Sequence, residues 1–174
     1  MYKVPASLVR KTPTRYAGEA WYLRSGYYHQ CLLEYYGPIV LVKKFIPIDA
    51  PESEILTPRT PYDECVKYIA ECYDRAAGLL PDVVGESELG LPTRMAALSY
   101  KARLLLYAAS PLVNGNPDYV GFNNPDGTPL MSTTYDPEKV ETGAGGCGSG
   151  GDRPRGRDSI PNSNSRNFDA LHLG

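Results

Sequence analysis

The sequence has few of the residues that carry metal or nucleophilic chemistry. Its 174 residues include four cysteines and two histidines, and no Cys-x-x-Cys pair or Cys/His cluster has the spacing of a zinc site. His172 lies near the C-terminus, and His29 lies inside a helical pattern, where we expect a neighbouring group to hydrogen-bond it. The sequence therefore points to no catalytic residue, no cofactor and no metal.

Long apolar runs and clustered charge are also missing. The longest apolar runs, residues 37–42 and 104–109, are far shorter than the roughly 18 to 20 residues of a membrane-spanning helix. The net charge is −2 and the Lys and Arg residues are scattered, which argues against a nucleic-acid-binding surface. No apolar segment follows the basic residues of the first 15 positions, so we expect no export signal in this sequence.

Aromatic residues are abundant in one part of the chain and almost absent from the other. All 14 tyrosines and the single tryptophan precede Val140, and Phe168 is the only aromatic residue after it. Residues 143–156 contain seven glycines. Such a segment buries too little apolar surface to offset the entropy lost on ordering its backbone. We therefore predict a folded region over residues 1–140 and a disordered tail over residues 141–174.

The first helix is predicted over residues 15–36. Two stripes recur at helical spacing, so we expect burial on most sides of this helix. The stripes are Ala20, Tyr27, Cys31 and Glu34 on one face and Trp21, Tyr28, Leu32 and Tyr35 beside it. Gly37 accepts the left-handed conformation that follows a helix, and Pro38 cannot continue one.

Two further helices follow. Thr60 is the expected N-cap of the second, with Pro61 in its first turn, and this helix ends before Pro81. Thr93 is the expected N-cap of the third, which ends before Pro111. Their apolar faces are Cys65, Ile69, Cys72, Ala76 and Leu79 in the second helix and Leu98, Ala102, Leu105 and Ala109 in the third. The pattern predicts an all-α fold of stacked helical hairpins, although an ordinary helical bundle has the same period.

A turn-rich segment over residues 114–128 contains the candidate binding residues. Its spacing imitates a calcium loop, but Tyr119 and Pro125 replace the glycine and the glutamate that such a loop requires. An exposed ring can cover the apolar face of a sugar while amide groups bind its hydroxyls. The candidate glycan-binding residues are therefore Tyr119, Phe122, Asn114 and Asn116. Alternatively, this is a loop whose two rings pack onto the helices.

Three ordered motifs resemble the signatures of the SusD/RagB family of outer-membrane nutrient-uptake lipoproteins. They lie in residues 18–42 (GEAWYLR and YGPIVLV), residues 58–65 (PRTPYDEC) and residues 101–111 (KARLLLYAASP). The resemblance covers about residues 16 to 139, and residues 135–139 (YDPEK) are similar to the segment that leads into the family's next helix.

This resemblance implies a fold of tetratricopeptide-like helical hairpins with long connecting loops and no enzymatic activity. It implies capture of an oligosaccharide, polysaccharide or other nutrient at the cell outer membrane, beside a SusC-like TonB-dependent transporter. Family members are anchored by a lipid on an N-terminal cysteine, and we expect that this chain is a fragment without the anchor. The family's ligand-binding aromatic residues lie in variable loops, so none is transferred to this sequence. The alternative function is a helical-repeat scaffold that binds other proteins.

The tail departs from the family pattern. Relatives continue after the YDPEK segment with tryptophan and an alanine-rich helix, whereas this chain has Val140 and a glycine run. Codons can be assigned to residues 140–155 that, read one base later, encode tryptophan followed by an alanine-rich stretch with high helix propensity. We therefore expect residues 141–174 to be out-of-frame sequence, and the alternative is a true flexible linker.

Overall fold

The computed structural model of the protein describes residues 6–146, and within them it contains helices, turns and connecting loops. The only bridge between extended residues in this range joins Asn123 and Pro129. The helices are α1 (Ala6–Gly26), α2 (Glu34–Tyr36), α3 (Glu52–Ile55), α4 (Tyr62–Leu79), α5 (Arg94–Ala108) and α6 (Pro137–Gly146). The predicted all-α fold is confirmed. No helix among the described residues is long and apolar enough to cross a membrane.

Each long helix packs against the next long helix along the chain. Helix α4 lies between α1 and α5, and α5 also packs against α6, as expected for consecutive helical hairpins. Three tyrosines join the first three long helices. The rings of Tyr73 and Tyr100 stack with centroids 6.4 Å apart, and the Tyr22 ring meets both of them edge-on. The core is therefore centred on α4.

The first helix is longer than predicted and contains a π-helical segment. It begins at α1, continues as a π-helix over Tyr27–Leu33 and ends with α2. Ser25, His29 and Leu33 recur every four residues, and all three are buried. The hydrogen bonds of a π-helix span five residues instead of four. Residues spaced at the α-helical period therefore do not fall on one face of this segment.

The prediction of two buried stripes on this helix is wrong. Several of the predicted residues are exposed, namely Ala20, Tyr27, Cys31, Leu32 and Tyr35. On the side that packs on α4, the most deeply buried positions include small and polar side chains, with the half-buried rings of Trp21, Tyr22 and Tyr28 beside them. A Cβ atom at Gly18 would lie 3.0 Å from the Leu79 Cβ, and the Ser25 hydroxyl donates to the backbone oxygens of Trp21 (3.0 Å) and Tyr22 (2.8 Å). Close approach of the backbones therefore defines this face together with the packing of its rings.

The start of α4 also differs from the prediction, whereas its face and end are confirmed. Pro61, not Thr60, is the N-cap, and it provides no side-chain hydrogen bond. The Thr60 backbone N–H donates to the Ile39 oxygen at 2.8 Å, so Thr60 fixes the preceding extended segment. Four of the five predicted apolar positions on α4 are fully buried, and Leu79 is half-buried.

Helix α5 begins as predicted, since the Thr93 hydroxyl accepts a hydrogen bond from the Ala96 N–H at 3.3 Å. Its fully buried residues are Ala97, Leu104 and Ala108, whereas the predicted face, Leu98, Ala102, Leu105 and Ala109, is half-buried. The difference arises because α5 has neighbours on two sides. The predicted face lies toward α6, where a Cβ atom at Gly143 would be 3.5 Å from the Ala109 Cβ.

Helix α6 extends into the segment that the sequence predicts to be disordered. Residues 141–146 are helical, and Gly143 is buried against α5. Contact with α5 therefore outweighs the low helix propensity of glycine over these residues. Residues 147–174, including His172, lie outside the described residues, and for them the predicted tail stays a prediction.

Candidate functional site

Tyrosines gather where the ends of three helices meet. Tyr35 and Tyr36 end α2, Tyr62 begins α4 and Tyr107 lies in the last turn of α5. Hairpin topology places the end of one helix, the start of the next and the end of the third at the same end of the array. Tyr119, in the loop that follows α5, completes the group.

These tyrosines line a cleft of about 310 Å³, which we call the tyrosine cleft. Its volume is at the lower limit for small-molecule sites. Its lining residues are Leu33, Glu34, Tyr35, Tyr36, Gly37, Pro38, Tyr62, Tyr107, Leu112, Val113, Tyr119 and Met131. The lining thus combines aromatic and aliphatic side chains with one carboxylate.

The tyrosine cleft has exposed rings at its rim and one buried hydroxyl. Tyr35 is 79% exposed and Tyr36 is 69% exposed, whereas Tyr62 is 2% exposed. The Tyr62 hydroxyl has no hydrogen-bond partner among the residues that the structure describes. Burial raises its pKa, so this hydroxyl stays protonated and can donate a hydrogen bond. A buried unpaired hydroxyl is costly, and a polar ligand group would remove that cost.

The Glu34 carboxylate is held by Arg103 and lies beside the buried ring of His29. One oxygen lies 3.2 Å from the Arg103 Nη2 atom, and the other lies 3.2 Å from the His29 Nε2 atom. The opposite ring nitrogen of His29 lies 3.2 Å from the Tyr73 hydroxyl. As the sequence predicts, His29 is a buried helix-face residue with a hydrogen-bonding neighbour. The arrangement fixes a hydrogen-bond acceptor at the edge of the tyrosine cleft.

The burial of His29 predicts a pH-dependent stability. Burial lowers the pKa of His29; the Arg103 charge also lowers it, and the Glu34 carboxylate opposes both. The unfolded chain therefore binds a proton near pH 6.5 that the folded chain does not bind. The contribution of His29 to the free energy of unfolding is therefore fully present above pH 6.5. It is lost as the pH falls below that value, by at most about 1.4 kcal/mol per pH unit. Urea unfolding between pH 5.5 and 7.5 should show this slope, and His29→Gln should reduce it. An unchanged slope in the variant would contradict the assignment.

The two predicted asparagines bind the loop itself. Asn114 is buried, donates to the Asp136 backbone oxygen at 2.9 Å and accepts from the Asp136 N–H at 2.9 Å. Asn116 donates to the Leu112 oxygen at 3.0 Å and accepts from the Asp118 N–H at 2.9 Å. Asn114 thus joins the two ends of the loop between α5 and α6, Asn116 holds a turn within it, and neither lines the tyrosine cleft.

The two predicted rings occupy different positions. Tyr119 packs against the core and lines the tyrosine cleft. Phe122 is 38% exposed and lies outside the lining, with its centroid 6.3 Å from that of Tyr119. The structure therefore brings one of the four predicted residues into the cleft. Sequence reasoning missed Tyr35, Tyr36, Tyr62 and Tyr107, although their positions at helix ends could have revealed them.

A larger groove of about 490 Å³ between α4, α5 and α6 is a weaker candidate. No aromatic residue lines it. Charged groups at its rim bind one another: Lys101 contacts Asp74 at 2.7 Å and Lys139 contacts Asp63 at 2.6 Å. Among the described residues, no group of three His, Cys, Asp or Glu side chains could hold a metal ion. The tyrosine cleft therefore remains the better binding site.

Comparison with known proteins places the chain in a family. Residues 7–106 match the SusD-like family that is described as starch-binding and associating with the outer membrane. The chain belongs to the SusD-like family. A comparison with curated proteins gives no match.

Solved structures are similar to this chain over more than half of its length. BT4246 is 39% identical with a TM-score of 0.72 over 79% of this chain, and its selenomethionine form is 33% identical with a TM-score of 0.68 over 84%. A SusD-like protein (BF3747) from Bacteroides fragilis NCTC 9343 is 29% identical with a TM-score of 0.52 over 57%. The aligned region is 24% of BT4246 and 19% of the Bacteroides fragilis protein. The chain thus spans about a quarter of the length of BT4246.

Proposed function

We propose that this SusD-like chain belongs to a non-enzymatic glycan-binding component of an outer-membrane nutrient-uptake system. A SusC-like TonB-dependent transporter is the proposed partner, and a lipid anchor on the intact protein is the proposed attachment to the membrane. The observation that carries the proposal is the tyrosine cleft, five tyrosines and a fixed carboxylate at one end of the helical array. The family's description as starch-binding supports a sugar as the ligand.

The chemistry of the tyrosine cleft suits a neutral sugar. The exposed rings of Tyr35 and Tyr36 can cover the apolar face of a pyranose, as aromatic side chains do when they bury large areas. The Tyr62 hydroxyl can donate to a sugar oxygen, and Glu34 can accept from a sugar hydroxyl. The few polar groups would orient the ring, while the apolar lining supplies most of the buried area.

Titration calorimetry of the full chain with maltoheptaose, and then with other neutral oligosaccharides, tests this proposal. Tyr35→Ala and Tyr119→Ala should each weaken binding about tenfold, which is about 1.4 kcal/mol. Tyr16→Ala is a matched control, because Tyr16 is also on the first helix and 62% exposed but lies roughly 28 Å away along the helix axis. Equal losses in the three variants, or no binding of any neutral glycan, would contradict the cleft as the site.

A second candidate function is a helical-repeat scaffold that binds proteins. It is favoured by an apolar stripe on the outer face of α1 and the π-helix, where Tyr16, Leu23 and Tyr27 are each more than half exposed. Exposed apolar stripes of this kind are typical of contact surfaces. Leu23→Glu would abolish transporter binding if the stripe is the contact and would leave glycan binding unchanged. Because the first function also includes a transporter as partner, the glycan titration separates the two functions: a scaffold would bind no glycan, whereas the uptake component would bind one.

A further inference from the structure

Three cations meet aromatic rings on the side of the molecule where α1 and α4 adjoin the segment 39–43. The Arg24 guanidinium carbon lies 5.8 Å from the Trp21 ring centre and 5.7 Å from those of Tyr28 and Tyr68. All three distances are within the range of cation–π attraction. Arg24 also donates a hydrogen bond to the Val42 backbone oxygen, which fixes its position.

Two more cations share these rings. The Lys43 ammonium lies 5.5 Å from the Tyr68 ring centre, and the Arg75 guanidinium lies 4.9 Å from the Trp21 ring centre. We call this group the cationic patch; its members are Trp21, Arg24, Tyr28, Lys43, Tyr68 and Arg75. Sequence patterns do not reveal it, because the cations come from three separate segments.

The cations of the patch differ from most others in having no acidic partner. Among the described residues, no carboxylate lies within 4 Å of Arg24, Lys43 or Arg75. Six other cations do have such a partner, and they are Arg15, Lys44, Arg94, Lys101, Arg103 and Lys139. Like charges held beside the same rings repel one another, and a bound anion would relieve this repulsion. The rings hold the cations in place before any ligand arrives.

We propose that the cationic patch binds the carboxylate or sulfate groups of an acidic saccharide. Guanidinium groups bind carboxylate and sulfate through paired hydrogen bonds, and the half-buried rings beside them offer apolar area to a sugar ring. This site is separate from the tyrosine cleft, although the choice of a saccharide rests on the proposed function. The protein would thus hold neutral and acidic sugars at two different places.

The test is titration of the full chain with trigalacturonate, with a heparin-derived tetrasaccharide and with neutral maltoheptaose. The first two distinguish carboxylate from sulfate recognition. At low salt, we expect at least one acidic probe to bind, and Lys43→Gln and Arg75→Gln to weaken it at least fivefold each. Raising the salt concentration should also weaken the binding of the acidic probe to the unmodified protein. Lys44→Gln is the matched control, since Lys44 is adjacent in sequence but is paired with Glu54 at 2.9 Å.

Three results would overturn the proposal. The first is no binding of either acidic probe, and the second is an equal loss in Lys43→Gln and Lys44→Gln. The third is stronger binding to phosphatidylglycerol vesicles that the same variants abolish, which would assign the patch to a lipid phosphate.

Because Lys43 and Arg75 are exposed, their variants should fold, whereas Arg24→Gln needs a check by circular dichroism. Failure of the proposed function would appear separately, as maltoheptaose binding that is absent or insensitive to Tyr35→Ala.

Discussion

Replacing Tyr73 by alanine is expected to lower the free energy of unfolding by about 3 to 5 kcal/mol, the cost typical of removing a large buried ring. Tyr73 is fully buried in the middle of α4. Its ring stacks on Tyr100, and the rings of Tyr22 and His29 meet it edge-on with centroids 6.4 and 6.0 Å away. The cavity would therefore open where α1, α4 and α5 join. Urea unfolding of the full chain measures the loss.

Two matched variants separate the contributions to this loss. Tyr73→Phe keeps the ring but removes the hydroxyl that lies 3.2 Å from the His29 Nδ1 atom, so we expect a loss of about 1 to 3 kcal/mol. Tyr27→Ala removes a tyrosine that is 65% exposed and should change stability by less than about 0.5 kcal/mol. If Tyr73→Ala were as mild as Tyr27→Ala, the central position of α4 in the core would be wrong.

The helix boundaries that depend on local chemistry could be predicted from the sequence. Thr93 caps α5 because its hydroxyl reaches the third amide of the helix, and this requires no tertiary neighbour. Thr60 has the same side chain before a helix, yet its backbone is hydrogen-bonded to Ile39 and its cap is not formed. The second case depends on a residue 21 positions away, which local patterns cannot reveal.

The buried face of the first helix could not be predicted from hydrophobicity. Gly18, Ser25 and His29 are small or polar, and each is buried because a specific group on the same helix or on α4 meets it. Some tyrosines of the pattern, such as Tyr27 and Tyr35, instead face outward. A tyrosine-rich helix can have exposed rings on one side, so counting its apolar positions overestimates its burial.

The candidate site was only partly predictable for a different reason. Turn-forming residues mark one loop in the sequence, and Tyr119 of that loop does line the tyrosine cleft. The other rings lie at the ends of helices that are distant in sequence, and hairpin topology brings them together. Once three helices are placed as consecutive hairpins, Tyr36, Tyr62 and Tyr107 must share one end of the array. The aromatic residues at helix ends would therefore have indicated most of the cleft.

Replacing Gly115 by alanine is expected to cost about 3 kcal/mol of unfolding free energy, from two separate causes. Gly115 has φ +78°, a conformation that costs a residue with a Cβ atom about 1 to 2 kcal/mol. The added Cβ would also lie 2.7 Å from the backbone N and Cα of Tyr135, so the loop would have to move, at about 1 to 3 kcal/mol. The hydrogen bonds between Asn114 and Asp136 hold the two segments at this distance and oppose that movement.

Gly121→Ala isolates the contact from the backbone strain. Gly121 has φ +82°, nearly the same as Gly115, but a Cβ atom added at Gly121 would meet no described atom within 4 Å. The Gly121→Ala variant should therefore lose only the part of the unfolding free energy that comes from backbone strain, about 1 to 2 kcal/mol. Because the loop carries Tyr119 into the tyrosine cleft, Gly115→Ala should also weaken maltoheptaose binding, while Gly121→Ala should weaken it less. Equal losses of stability in the two variants would show that the approach of residue 115 to Tyr135 does not hold the loop in place.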